Sequence, residues 1–191
     1  ESGKLETVKS PFTQIDGIAR NHVGRVNANG SLDTSFDIGS GTDNPVFALT
    51  QTYVNGERKV ILAGAFTVYG GITRNGVVRV NENGSVDETF APASGANGIV
   101  YAVAAYPTNT LNSGKILIGG EFTTVNGVGR NRIARLNSDG SLDLSFDPGL
   151  GAGDSVRALA IQSDGRVLVG GSFTNFNGTP INRIARLNNS G

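Results

Sequence analysis

Four times the sequence carries a Phe-Thr pair, then a Gly-containing loop, then an Arg-hydrophobic-Asn segment; Phe12-Thr13, Phe66-Thr67, Phe122-Thr123 and Phe173-Thr174 open the copies. The steps between these phenylalanines are 54, 56 and 51 residues. Segments recurring at such a period are modules that bury their apolar faces against one another, so 1–191 reads as one stacked domain. Spacings inside the period are stricter than the period itself. Each Phe stands 15 residues before an Asn (Asn27, Asn81, Asn137, Asn188). The first three Asn stand 9 residues before a second Phe (Phe36, Phe90, Phe146), and those stand 10 before a Val (Val46, Val100, Val156). Only the leg from Val to the next Phe varies, at 20, 22 and 17 residues. Insertion is therefore confined to one hairpin, with the variants 51–58, 106–114 and the minimal Gln162-Ser163-Asp164-Gly165, whose Asp-Gly suits a tight turn. The units are 1–45 (partial), 46–99, 100–155 and 156–191 (partial).

Within a unit the apolar residues come in short alternating or continuous runs, with no sustained helical spacing. Four strands per unit are expected: A (Val156 to Ile161), B (Val167 to Phe173), C (Ile133 to Asn137, or Ile184 to Asn188) and D (Leu142 to Phe146). A small four-stranded antiparallel sheet cannot bury both faces alone and does so by packing on copies of itself arranged radially. The fold class is all-β, a β-propeller of four-stranded antiparallel blades. Gly64-Ala65, Gly119-Gly120 and Gly170-Gly171 suit an innermost strand where backbones crowd. They lie inside a strand, whereas phosphate-binding glycines open a helix, so no nucleotide site is inferred.

One stretch carries a resemblance: Gly119-Gly120-Glu121-Phe122-Thr123-Thr124-Val125-Asn126-Gly127, Arg130-Asn131-Arg132-Ile133-Ala134-Arg135-Leu136-Asn137, Asp139-Gly140-Ser141-Leu142-Asp143 and Ser145-Phe146-Asp147-Pro148-Gly149. It resembles the bacterial delta-60 repeat, a propeller-type repeat of large secreted proteins, from about Phe12 to Asn188. The resemblance implies secreted or surface modules and says little about chemistry. Leu5 to Pro11 departs from it by lacking the Gly-Gly element, so the strand count takes only C and D from the first unit. That leaves about three and a half blades where a closed ring has a whole number, typically ~4–8. The chain is expected to be part of a larger ring, or to self-associate with a copy or other repeats that complete it.

Composition narrows the function. Zero Cys excludes disulfides, thiolate catalysis and Cys-based zinc sites. Lys plus Arg equals Asp plus Glu at 16 each, with no basic block, which disfavours a nucleic-acid partner. No apolar run nears the ~20 residues of a membrane span, and no signal peptide opens the chain. A chain without Met that begins at Glu1 is expected to be a processed or excised segment. An extracellular or bacterial cell-surface location follows from the resemblance.

The motif Asn-x-Asx-Gly-x-x-Asp recurs at Asn27, Asn81 and Asn137, the last with Asp139 and Asp143. Alternating oxygen side chains make these residues weak calcium candidates, but the bidentate Glu of an EF-hand is missing. Asx-Gly between strands is first a hairpin signal, with the trailing Asp bonding the turn or pairing with Arg25, Arg79 or Arg135. No cofactor is expected. His22 is the sole histidine and builds no triad or metal pair. The expected function is a non-catalytic binding, adhesion or structural module; the alternative is a propeller hydrolase or lyase acting on a polysaccharide. Any protein or glycan ligand is expected where the B–C and D–A loops meet, on Arg20, Asn21, Arg74, Asn75, Asn126, Arg130, Asn131, Asn177 and Asn182, with the acids Asp43 and Asp154 nearby. The competing reading is that these side chains tie each loop to its own blade.

Overall fold

A computed structural model of the chain describes the backbone of residues 4–6 and all of residues 12–191. The first unit contributes β1 (Lys4–Glu6), the short hairpin β2 (Gln14–Ile15) and β3 (Ile18–Ala19), and β4 (Gly24–Val26). The second contributes β5 (Val46–Val54), β6 (Glu57–Gly64), the hairpin β7 (Val68–Tyr69) and β8 (Ile72–Thr73), and β9 (Val77–Val80). In the third are β10 (Val100–Ala105), β11 (Ile116–Gly120), β12 (Thr124–Val125), β13 (Val128–Gly129) and β14 (Ile133–Leu136). The fourth repeats the order with β15 (Val156–Ile161), β16 (Val167–Gly171), β17 (Asn175–Phe176), β18 (Thr179–Pro180) and β19 (Ile184–Leu187). No helix occurs among the described residues.

Each unit after the first is an antiparallel sheet ordered A-B-C: β5-β6-β9, β10-β11-β14 and β15-β16-β19. The expected strand D is reduced to one bridge per unit, Val26↔Leu32, Val80↔Val86 and Leu136↔Leu142. The cause is local. Two residues after each Asp of the motif stands a Ser or Thr whose amide donates to that Asp's Oδ1, at 2.9 Å for Ser35, 3.0 Å for Thr89 and 3.0 Å for Ser145. This side-chain turn curls the backbone before a fourth strand can extend. Strand B is the central strand, not the innermost, and the first unit does have one: β1 pairs with β4 with Leu5 opposite Arg25.

The B–C connections each contain a tight hairpin with both turn residues at positive φ, Asp16-Gly17, Asn126-Gly127 and Asn177-Gly178, with Gly70-Gly71 in the second unit. The insertion at 51–58 lengthens strands rather than a loop. β5 and β6 run to 9 and 8 residues and close on Asn55-Gly56, also at positive φ.

The sheets are joined by a recurring clasp. Arg79, 1% exposed, donates from Nε to Asp87 of its own turn (2.7 Å), from Nη2 to Thr89 Oγ1 (2.8 Å) and from Nη1 to Ser138 O of the next unit (2.6 Å). Its guanidinium lies 5.0 Å over the Phe90 ring. Arg25 and Arg135 repeat the arrangement, reaching Glu82 O and Asn189 O of their next units at 2.6 Å each. Phe36 and Phe66, Phe90 and Phe122, and Phe146 and Phe173 are all buried, each pair sharing one core cluster across neighbouring units.

Phe122→Ala and Asp87→Ala should each destabilise the fold by about 3–5 kcal/mol in denaturant melts, one by a cavity and the other by stranding a buried guanidinium. Burial alone would raise the Asp87 carboxyl, but hydrogen bonds from Thr89 and Arg79 and the Arg79 charge outweigh it and hold it low. A carboxyl depressed in the folded state stabilises at neutral pH, and that contribution is lost as pH falls through the folded value. Acid titration should therefore cost the Asp87→Ala protein less stability than the parent.

Candidate functional site

Strand B carries a glycine two residues before each buried Phe, at Gly64, Gly120 and Gly171. A methyl on these would overlap the carbonyl oxygens of Pro45, Ile99 and Ser155, the residues that lead into strand A. So close an approach is open only to Gly, and it puts a β-bulge at the start of every strand A. The pairing skips one residue each time. Val46 and Ala48 pair across Phe47, Val100 and Ala102 across Tyr101, and Val156 and Ala158 across Arg157.

Bulges re-aim side chains, and here they aim three into one row. Strands β5, β10 and β15 pack in succession, β10 touching both of the others, so the bulged residues of neighbouring units meet. The Phe47 and Tyr101 ring centroids are 5.5 Å apart at 44°, and the Arg157 guanidinium lies 3.9 Å from the Tyr101 ring centroid. Phe47 stays 37% exposed. Polar groups flank the row: Arg157 pairs with Glu121 at 3.3 Å, and the buried Ser155 places its Oγ 3.0 Å from Glu121 and 3.2 Å from Asp154. Burial first, then the hydrogen bond and charge of Glu121, raise the Tyr101 hydroxyl. The amide and hydroxyl of Ser155 lower the Asp154 carboxyl, aided by the charges of Arg132 and Arg157.

The sequence-predicted residues are mostly committed within the fold. Asn21, Asn75 and Asn131 donate from Nδ2 to Ser40 O, Ser94 O and Leu150 O at 2.8, 2.8 and 3.0 Å, tying each unit to its following linker. Asn126 and Asn177 are turn residues whose Oδ1 atoms accept from Gly95 N and Leu150 N. Arg20, Arg74 and Arg130 donate from Nη1 to the carbonyl just before them and stay half-exposed. Asn182 is exposed. Asp43 accepts from the amides of Thr67 and Val68 and the Thr67 hydroxyl; burial would raise its carboxyl, but these bonds hold it at about 2. Sequence reasoning missed Phe47, Tyr101, Arg157 and Glu121. The signal for the first three was the position after Val46, Val100 and Val156, where the side chain changes from Phe to Tyr to Arg between fixed neighbours.

The beta-propeller family described as a domain of unknown function (DUF5122) matches residues 8–36, 58–90, 111–146 and 162–191. The chain belongs to that family. The first three matched segments end on Phe36, Phe90 and Phe146, and so contain the Arg, Asp and Phe of one clasp each. No curated protein and no solved structure matches the chain. In this propeller-family domain the calcium candidates are engaged. Asp143 bonds Arg135 (2.6 Å) and Lys115 (2.7 Å), Asp139 accepts from the Ser141 amide (2.9 Å), and Asn137 donates to Ser141 Oγ (2.9 Å). Among the described residues no three His, Cys, Asp or Glu side chains gather as a metal site. His22 holds a left-handed backbone position (φ 63°) that Gly76, Arg132 and Arg183 occupy in the other units. Gly120→Ala should distort the bulge and destabilise the domain, and a crystal structure of the variant should show the Phe47 and Tyr101 rings moved apart; an unchanged melting temperature and row would refute the role given to this glycine.

Proposed function

We propose that the domain is a non-catalytic binding module of a secreted or cell-surface bacterial protein, taking a protein or glycan ligand on the row Phe47, Tyr101 and Arg157. The observation that carries this reading is the row itself. Three bulges at the same repeat position bring chemically different, partly exposed side chains together, while the Val before and the Ala after each of them stay the same. Aromatic surface beside a few convergent polar groups is the usual make-up of a binding site. Arg20, Arg74 and Arg130 would act as rim contacts. The extracellular setting draws on the likeness to delta-60 repeats. No helix is long and apolar enough to cross a membrane among the described residues.

The enzymatic alternative has one observation in its favour: Glu121 and Asp154 both meet Ser155 Oγ, and glycoside hydrolysis needs two carboxyl groups near each other. Asp154, however, is held low by Ser155, the opposite of what a general acid needs. Binding to glycan and peptide arrays should be lost in Phe47→Ala and Arg157→Ala with the melting temperature unchanged, and weakened in the Arg74→Ala, Arg130→Ala double variant. Release of reducing ends from a polysaccharide, abolished by Glu121→Gln, would replace the binding reading with the enzymatic one.

A further unit of the same repeat, from a second copy of the chain, completes the ring in this reading. Ile184 is 63% exposed on β19, whereas its counterparts Val77 and Ile133 are fully buried between sheets. Arg186 is exposed where Arg79 and Arg135 are buried in clasps. Light scattering should show assemblies heavier than the 19.8 kDa chain, dissociated by Ile184→Asp; a single-chain mass at the highest soluble concentration would rule this out.

A further inference from the structure

We infer that the row takes a neutral oligosaccharide, laid so that apolar sugar ring faces meet Phe47 and Tyr101 while hydroxyls meet Arg157, Glu121 and Asp154. This rests on the binding reading above and specifies its ligand. The first argument is charge. Glu121 and Asp154 supply two negative groups; Arg157 pairs with Glu121, and the charges of Arg132 and Arg157 both act on Asp154. An anionic ligand would meet the two carboxylates and a cationic one the two guanidiniums, so neither sign of net charge is favoured.

The second argument is hydrogen-bond capacity. Arg157 uses one nitrogen on Glu121, Ser155 Oγ is shared by two carboxylates, and the Arg157 and Glu121 side chains are 49% and 41% exposed. A purely apolar ligand would strip water from these groups and return nothing. A sugar hydroxyl both donates and accepts, so it answers guanidinium and carboxylate at once. Its ring offers C–H groups to an aromatic surface, which suits rings already held by their neighbours.

The third argument weighs against a peptide strand. Strand A is an edge of each three-stranded sheet, and an edge is where an extended peptide would add. The bulge interrupts that edge at the row, so backbone pairing is broken where the side chains converge. Because the row crosses three units, its ligand spans more than one ring.

Saturation-transfer NMR and calorimetry on the whole chain, with cello-, malto- and xylo-oligosaccharides, oligogalacturonates and aromatic peptides as probes, test the inference. At least one neutral oligosaccharide should bind, with transfer strongest to ring C–H protons. Tyr101→Ala and Phe47→Ala should weaken it at least tenfold, Glu121→Gln should weaken it while leaving the melting temperature unchanged, and Tyr101→Phe should retain most of it. Binding of oligogalacturonates alone, or of a peptide alone with loss in Tyr101→Ala, would overturn the sugar assignment while leaving the binding reading intact. Neutral-sugar binding unchanged by both aromatic variants would overturn the site. No probe binding at all would overturn both.

Discussion

The buried guanidinium is the constraint on which the stacking depends. A charged group withdrawn from water needs all its donors answered, and Arg79 finds those answers in three places: an Asp and a Thr of its own turn, a carbonyl of the next unit, and the face of a Phe. Since one acceptor belongs to the following unit, the clasp forms only when two units dock in register. A hydrophobic interface alone would tolerate sliding; an arginine requiring a particular carbonyl oxygen does not. This accounts for the strict spacing from strand C through the second Phe; the A–B hairpin varies outside that stretch, and in the third unit its Tyr106 and the following Lys115 join the clasp by reaching Arg135 and Asp143.

A second chain of causes runs from a missing methyl to the candidate site. Gly64, Gly120 and Gly171 let the backbone entering strand A approach strand B too closely for any other residue. The approach forces one extra residue into strand A, and that residue leaves the alternation that would have put it into a sheet face. Because the scaffold repeats, the extra residues line up across units. Because nothing in the scaffold depends on their identity, they are free to be Phe, Tyr and Arg. The repeat thus supplies positions of fixed geometry whose chemistry is not set by folding.

Much of this architecture is legible in the chain itself. The repeat phases, the location of the insertions, the tight turns and the buried phenylalanines all follow from local preference and from spacing, which a sequence displays directly. The Arg–Asp pairing is also within reach, since the two stand eight residues apart across a turn. The fourth strand misleads for a local reason: Leu142-Asp143-Leu144 alternates like a strand, but Asp143 captures the Ser145 amide and turns the chain. Leu144 is accordingly 69% exposed. The polar loop residues read too readily as ligand contacts because the sequence shows an Asn side chain without showing the carbonyl it binds.

An all-β chain of four related units that must stack follows from the residue order, since periodic apolar runs with tight-turn residues admit little else. So does the packing of that stack by aromatic rings. Three features arise only in the docked units: strand B lies centrally, the arginine of one unit closes on the next, and Phe47, Tyr101 and Arg157 share one surface. Those residues stand 54 and 56 positions apart, and no local rule links them. They meet because bulging is a property of strand pairing and adjacency a property of sheet stacking, and both exist only once the units have docked.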